Sequence, residues 1–341
     1  MREYSFRDAP FRLFGVPFFE KTGEIRRLPD DLIARLPAPF HDWHLGRRCP
    51  GARLAFRTDA AKFSVRITYE TFSPDVAMPI LSAQSGNVFV GPRQSARYLG
   101  PVRPWDEYRT PVATGNFEKA PQMEDVEIFL PWREILGEVT VSLPEDARVE
   151  PPTPYRPLKP IMYYGSSITE GCCGGKACNG YNAMISRWLN WDYYNMGFSG
   201  SAKGETIMAD YLNTIEKSAF VLDYDYNAPN AHHLQETHAP FFRRIREHDP
   251  DMPILIMTRP STYPHEAQKE REIIFRTYQD AVEAGDRNVW FLDGGTFYGD
   301  ADRDACTVDC VHPNDLGMYR MARAILPTVE QMMAAAEKQA R

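Results

Sequence analysis

A serine standing where a strand stops, and a histidine three residues after an aspartate, are the residues of this chain whose types and spacing suit chemistry. The first lies in IMYYGSSITEG, residues 161–171, where an apolar run gives way to a glycine, two serines, a threonine and a glutamate. In open α/β sheets ligands bind beyond the carboxyl ends of the strands, and 165–167 is such an end. A helix starting there would turn free N–H groups and its positive dipole end toward the same space. Two readings stand side by side. Ser166, Ser167 or Thr169 caps the helix, or one serine is a nucleophile, which needs a base for its proton and donors for an oxyanion.

The base has to come from elsewhere among eight histidines. His41 and His44 fall in the first part of the chain. His232, His233 and His238 fall in or before a helix, and His248 and His265 near loops; most such histidines are expected at the surface. His312 differs. TVDCVHPND, residues 307–315, puts Asp309 three positions before it. In a tight turn that spacing sets a carboxylate against the second ring nitrogen, where it fixes the tautomer and stabilises the imidazolium. Two further strand ends carry turn residues able to donate hydrogen bonds. NMGFSGSAKGE, residues 195–205, holds Gly197 and Gly200, and LDYDYNAPN, residues 222–230, holds Asn227. Each alone reads first as a turn.

The elements that must position these residues follow from periodicity. Residues 1–150 read as β: in ARLAFRTDAAKFSVRITYE, Phe63, Val65, Ile67 and Tyr69 share one face at period two. VEIFLPW and GEVTVSLP continue the habit, and the expectation is a β-sandwich of jelly-roll type. PPTPYRPLKP, residues 151–160, has five prolines and reads as a stiff linker between domains. Over 161–341 short apolar runs alternate with amphipathic helical stretches, which predicts a parallel sheet covered on both faces.

Bulk properties set limits. The chain has 341 residues, 43% hydrophobic and 25% charged, with net charge 39 − 46 = −7. Such a balance argues against a nucleic-acid partner. MREYSFRDAPFRLFG has no apolar signal region, and no run reaches the length of a membrane span, so a cytoplasmic location is expected. Cys49, Cys172, Cys173, Cys178, Cys306 and Cys310 lack paired Cys-x-x-Cys spacing, so reduced thiols are expected rather than zinc ligands. A disulfide between the two cysteine-bearing loops stays open for an oxidising compartment. HHLQETH lacks His-Glu-x-x-His spacing and reads as an exposed helix start. Arg259, in TRPS at a strand end, is a candidate substrate contact or a solvated residue.

The blocks taken in order resemble the SGNH/GDSL hydrolase superfamily over about residues 158–335. GSSIT stands for the family's Gly-Asp-Ser block, with Ser166 in the aspartate's place. The resemblance implies a flavodoxin-like three-layer α/β hydrolase domain behind the β-sandwich. It implies Ser167 as nucleophile, His312 as base and Asp309 as its orienting acid. The oxyanion would be held by the main-chain amides of Ser167 and Gly200 and the side chain of Asn227, with no metal or organic cofactor. The layout is similar to that of carbohydrate esterases, which implies hydrolysis of small O-acyl esters, acetyl foremost, on a sugar or glycoside. An acyltransferase, a lipase-type esterase and a binding protein on an inactive scaffold are the alternatives.

Overall fold

The structure is a computed structural model that describes residues 1–105, 111–263 and 267–340. The chain divides into two compact units. One comprises Met1–Arg156 with Cys173–Asn179 and Ser186–Asn190; the other comprises Pro157–Cys172, Gly180–Ile185 and Trp191–Arg341.

The first unit is antiparallel. Strands β1 (Arg2–Ser5), β4 (Lys62–Tyr69), β7 (Val112–Glu118) and β9 (Leu136–Leu143) form a sheet in the order β1-β9-β4-β7. Strands β2 (Arg12–Phe14), β3 (Arg53–Thr58), β5 (Gly86–Val90), β6 (Arg97–Val102), β8 (Glu124–Phe129) and β10 (Val149–Glu150) form the second, in the order β10-β3-β8-β5-β6 with β2 on β3. Alternate residues of β4, from Phe63 to Tyr69, are buried, as period two requires. They share one core with Leu54, Phe56, Val88, Val126 and Ile128 of the other sheet, so the unit is a sandwich. The proline-rich segment forms neither helix nor strand from 151 to 160. Asp125 pins it, accepting from the Thr153 main chain and hydroxyl, each at 2.7 Å.

The second unit is built on five parallel strands: β11 (Ile161–Gly165), β12 (Tyr193–Gly197), β13 (Ala219–Asp223), β14 (Ile254–Met257) and β15 (Val289–Leu292). Strands β11, β13 and β14 are fully buried, and β12 is buried at all but Tyr194, which is why they read as continuous apolar runs rather than alternations. Their order is β12-β11-β13-β14-β15, the flavodoxin-like arrangement. The chain leaves β11 in one direction and returns past it to β13, so the topological switch point lies at the carboxyl end of β11. Helices Tyr181–Leu189, Thr206–Asn213, Ala231–His248 and Gln268–Glu283 make the crossovers, and Asp315–Gln339 closes the chain against β13 and β14. The β-sandwich and the three-layer α/β unit are those expected from the sequence.

Candidate active site

The register places the candidate residues. Gly165 is level with Gly197 on one side and Asp223 on the other. Ser167, Gly200 and Asn227 therefore leave the sheet from the same end of three adjacent strands. The backbones crowd there. A Cβ on Gly165 would sit 2.1 Å from Thr169 Oγ1 and 2.3 Å from the Asp223 carbonyl oxygen. One on Gly197 would sit 2.5 Å from the Glu170 amide nitrogen. Only glycine permits this approach.

Both readings of the serine pair find a place, on different residues. Ser166 is the N-cap of the turn Ser167–Glu170: extended, 1% exposed, its Oγ accepting from the Ile168 amide at 3.2 Å. A short polar acceptor is what this position needs, which accounts for serine where the resembling family has aspartate. Ser167 is the first residue of the turn and is half-buried, and its Oγ lies 2.9 Å from His312 Nε2.

His312 comes from a loop closed by the bridge between Thr307 and Pro313 and by a hydrogen bond from the Val308 amide to the His312 carbonyl. Asp309 organises the loop from inside. Its Oδ1 accepts from the Val311 amide at 3.0 Å and the His312 amide at 2.7 Å, and its Oδ2 lies 2.7 Å from His312 Nδ1. Burial would raise the carboxyl's pKa, but these hydrogen bonds outweigh it and hold the group below the ordinary carboxylate range. Asn314 then caps the closing helix, accepting from Leu316 and Gly317. Thr262 ties the loop to the end of β14 by donating to the Cys310 carbonyl at 3.3 Å.

Gly200 occupies the turn after β12 at φ 63°, in the left-handed region that glycine favours, and is exposed. Asn227 is buried at the end of the turn Asp225–Asn227. Its amide donates to the Phe198 carbonyl at 3.0 Å. The structure thus joins Ser167, His312 and Asp309 in one hydrogen-bonded series and sets Gly200 and Asn227 on the two flanking strand ends. A hydroxyl against an imidazole whose other nitrogen faces an ionised carboxylate is an arrangement that can take a proton from serine.

The family model for GDSL-like lipase/acylhydrolases matches residues 158–330, half of the chain, and the model described as the N-terminus of SGNH-hydro-type esterases, GxDLY, matches residues 4–149. The chain belongs to the GDSL-like lipase/acylhydrolase family. It is a carboxylic ester hydrolase. Comparison with curated proteins gives no match. Among solved structures, a protein from Bacteroides ovatus described as a GDSL-like lipase is 22% identical, with 98% of each chain covered and a TM-score of 0.83. A salicylyl-acyltransferase from a tetracycline biosynthetic pathway is 20% identical, covering 98% of this chain and 97% of its own, with a TM-score of 0.75. A family two carbohydrate esterase from Cellvibrio japonicus is 14% identical, with 98% of each chain covered and a TM-score of 0.61. At these identities the likenesses concern the fold.

Several residues of the hydrolase escape a reading by motif. Asp223, 4% exposed, accepts from Thr169 Oγ1 at 3.1 Å and Tyr181 OH at 2.9 Å beneath the serine turn. Burial, reinforced by neighbouring Asp225, pushes its pKa up to about 8. Asn195 and Asn182 both donate to the Thr169 carbonyl at 2.8 Å. Glu170 accepts from the Ser199 hydroxyl and so ties the serine turn to the Gly200 turn. The lone asparagine in the apolar strand YYNMG was the one sequence signal for this layer. Two expectations need correction. His238 is a core residue, 1% exposed, 2.9 Å from Thr277 Oγ1 and stacked on Tyr224; burial lowers its pKa to about 3. Arg259 turns inward to Asp225 rather than outward to solvent. His265 lies outside the described residues. Cys49, Cys306 and Cys310 are free thiols. Among the described residues no helix is long and apolar enough to cross a membrane.

Proposed function

We propose that the enzyme is a serine esterase that removes small O-acyl groups, acetyl foremost, from a carbohydrate or glycoside through an acyl-enzyme on Ser167. The observation that carries this reading is the series Ser167 Oγ–His312 Nε2 at 2.9 Å and His312 Nδ1–Asp309 Oδ2 at 2.7 Å. Ser167 Oγ attacks the ester carbonyl as its proton passes to His312 Nε2. Asp309 accepts from Nδ1–H throughout and stabilises the imidazolium. The oxyanion is held by the main-chain N–H groups of Ser167 and Gly200 and by the Asn227 amide. Collapse breaks the bond to the alcohol oxygen, which takes the proton from His312. Water, deprotonated by His312, then attacks the acyl carbon, and Ser167 leaves with the proton restored. No metal or organic cofactor is required by this cycle. The carbohydrate part rests on the fold shared with family two carbohydrate esterases.

The test is hydrolysis of 4-nitrophenyl acetate and longer acyl homologues by the wild type and Ser167→Ala, followed by a panel of acetylated sugars. Loss of turnover in the variant, with acetate preferred, supports the reading. Equal rates in both proteins overturn it. A second reading, transfer of the acyl group to an alcohol other than water, is favoured by the fold shared with the salicylyl-acyltransferase. Product analysis with added alcohols separates the two.

A further inference from the structure

The turn that follows β13 opens with Asp225, and the structure gives that residue a partner. Leu222 is level with Ile256 in the β13–β14 ladder, and three residues farther along each chain stand Asp225 and Arg259. Asp225 Oδ2 accepts from the Arg259 main-chain N–H at 3.0 Å and from its Nε at 3.1 Å, while Arg259 Nη2 donates to the Asp225 carbonyl at 2.7 Å. The guanidinium also lies 4.6 Å from the centre of the Tyr226 ring, and Tyr226 OH donates to the Pro260 carbonyl at 3.2 Å. The first two residues of the three-residue turn are thus fastened to the end of β14. The side chains are 2% exposed for Asp225 and 15% for Arg259. A substrate would find little of this arginine to touch.

The third residue of the turn is Asn227. Its amide nitrogen spends one N–H on Phe198 O, and the second makes no hydrogen bond within the described residues. Asn227 is fastened to the same turn by its main-chain N–H, which donates to the Tyr224 carbonyl at 2.9 Å, and by its amide bond to Phe198 O, so clamping Asp225 and Tyr226 fixes where that second N–H points. We infer that the Asp225–Arg259 pair is a positioning device for the Asn227 amide, holding it on the site of the developing oxyanion. The inference rests on the proposed function, because it presumes that an oxyanion forms beside Asn227. A buried pair of this kind adds little net stability against an apolar replacement, whereas breaking it leaves a charge unpaired. Its contribution here is geometric. Oxyanion stabilisation depends steeply on the placement of the donors, and a shift on the order of 1 Å costs as much as 100-fold in rate.

The test is a double-mutant cycle on ester hydrolysis with Arg259→Lys, Asn227→Ala and the double variant, and with Asp225→Asn as the independent probe from the other side of the pair. Thermal unfolding reports whether each variant folds. Asn227→Ala should lower kcat on the order of 100-fold. Arg259→Lys and Asp225→Asn should each lower kcat about tenfold with KM nearly unchanged. The double variant should be no slower than Asn227→Ala alone, because Arg259 acts through the amide already removed. Multiplying effects in the cycle, a change confined to KM, or wild-type kcat in folded Arg259→Lys and Asp225→Asn would each overturn the inference. Wild-type kcat in Asn227→Ala would overturn the oxyanion assignment as well. A slow Asn227→Ala beside fast pair variants would overturn the positioning role alone.

Discussion

Replacing Asp309 by asparagine changes one atom and should invert the tautomer of His312. Asp309 Oδ1 accepts two main-chain N–H groups, from Val311 and His312, and Oδ2 faces His312 Nδ1. An asparagine can satisfy the two amides only with its oxygen in the Oδ1 place. Its NH2 group then faces Nδ1, which must be unprotonated to accept, so the ring proton moves to Nε2 and points at Ser167 Oγ. In that tautomer the imidazole cannot take the serine proton. Flipping the amide instead would set NH2 against two N–H donors, which is the worse conflict. Loss of the correct tautomer costs about 10⁴-fold in a fully buried triad. Asp309 is 43% exposed on its side chain, and water can relieve part of the conflict, so the expected loss of kcat is on the order of 10³-fold, or about 4 kcal/mol of transition-state stabilisation. Stability should change by only about 1 kcal/mol near neutral pH, because the loop keeps both main-chain hydrogen bonds. The sign of its pH dependence is fixed. The native carboxyl titrates below its unfolded value, so its contribution is present at neutral pH and lost as pH falls through the native pKa. Wild type and variant should therefore converge in acid. Steady-state kinetics on 4-nitrophenyl acetate with parallel thermal unfolding makes the check. A folded Asp309→Asn within about threefold of wild-type kcat would refute the reasoning that Asp309 sets the tautomer.

Two other variants separate neighbouring roles. Ser166→Ala should lose about 1 kcal/mol of stability with the cap and keep most of its kcat, whereas Ser167→Ala should keep stability and lose turnover; unfolding curves and rates on the same preparations show whether the two serines divide in this way. For Asp223, the native carboxyl keeps its proton up to about pH 8 while the unfolded chain releases it near the ordinary carboxylate value. Between those limits the native state binds more protons, so stability falls as pH rises, by at most about 1.4 kcal/mol per pH unit from this group. Asp223→Asn removes that slope. The difference in stability between variant and wild type should shift in the variant's favour from pH 5 to pH 8, and a constant difference would contradict a protonated Asp223.

Local features were legible because they are written locally. The strands of the α/β unit are short apolar runs ended by turn residues; the serine, glycine and asparagine blocks sit at those ends, and the Asp-x-x-His block lies in the loop between the last strand and the closing helix. Asp309 and His312 are three residues apart, so a single loop makes their contact. The layer beneath was illegible because it depends on register. Asp223 meets Thr169 across 54 residues and Tyr181 across 42, and Arg259 meets Asp225 across 34. No motif spacing encodes such pairs before the sheet order β12-β11-β13-β14-β15 is known. Composition misled at His238, where a polar residue in a helix heading for the surface is instead stacked on Tyr224 in the core. The strand order of the sandwich likewise lies in long-range pairings such as β1 with β9, whose partners are up to 141 residues apart (Arg2 with Leu143), and alternation alone does not fix partners.

The central claim is that Ser167 carries the acyl group. It is tested most directly by mixing the enzyme with 4-nitrophenyl acetate, quenching in acid within the first turnover, and locating the added acetyl group by intact and peptide mass. The account predicts one acetyl group on the peptide containing Ser167, absent from Ser167→Ala and accumulating when deacylation is slowed. An acetyl group on another residue, or full turnover with no adduct on Ser167 under any quench, would contradict it.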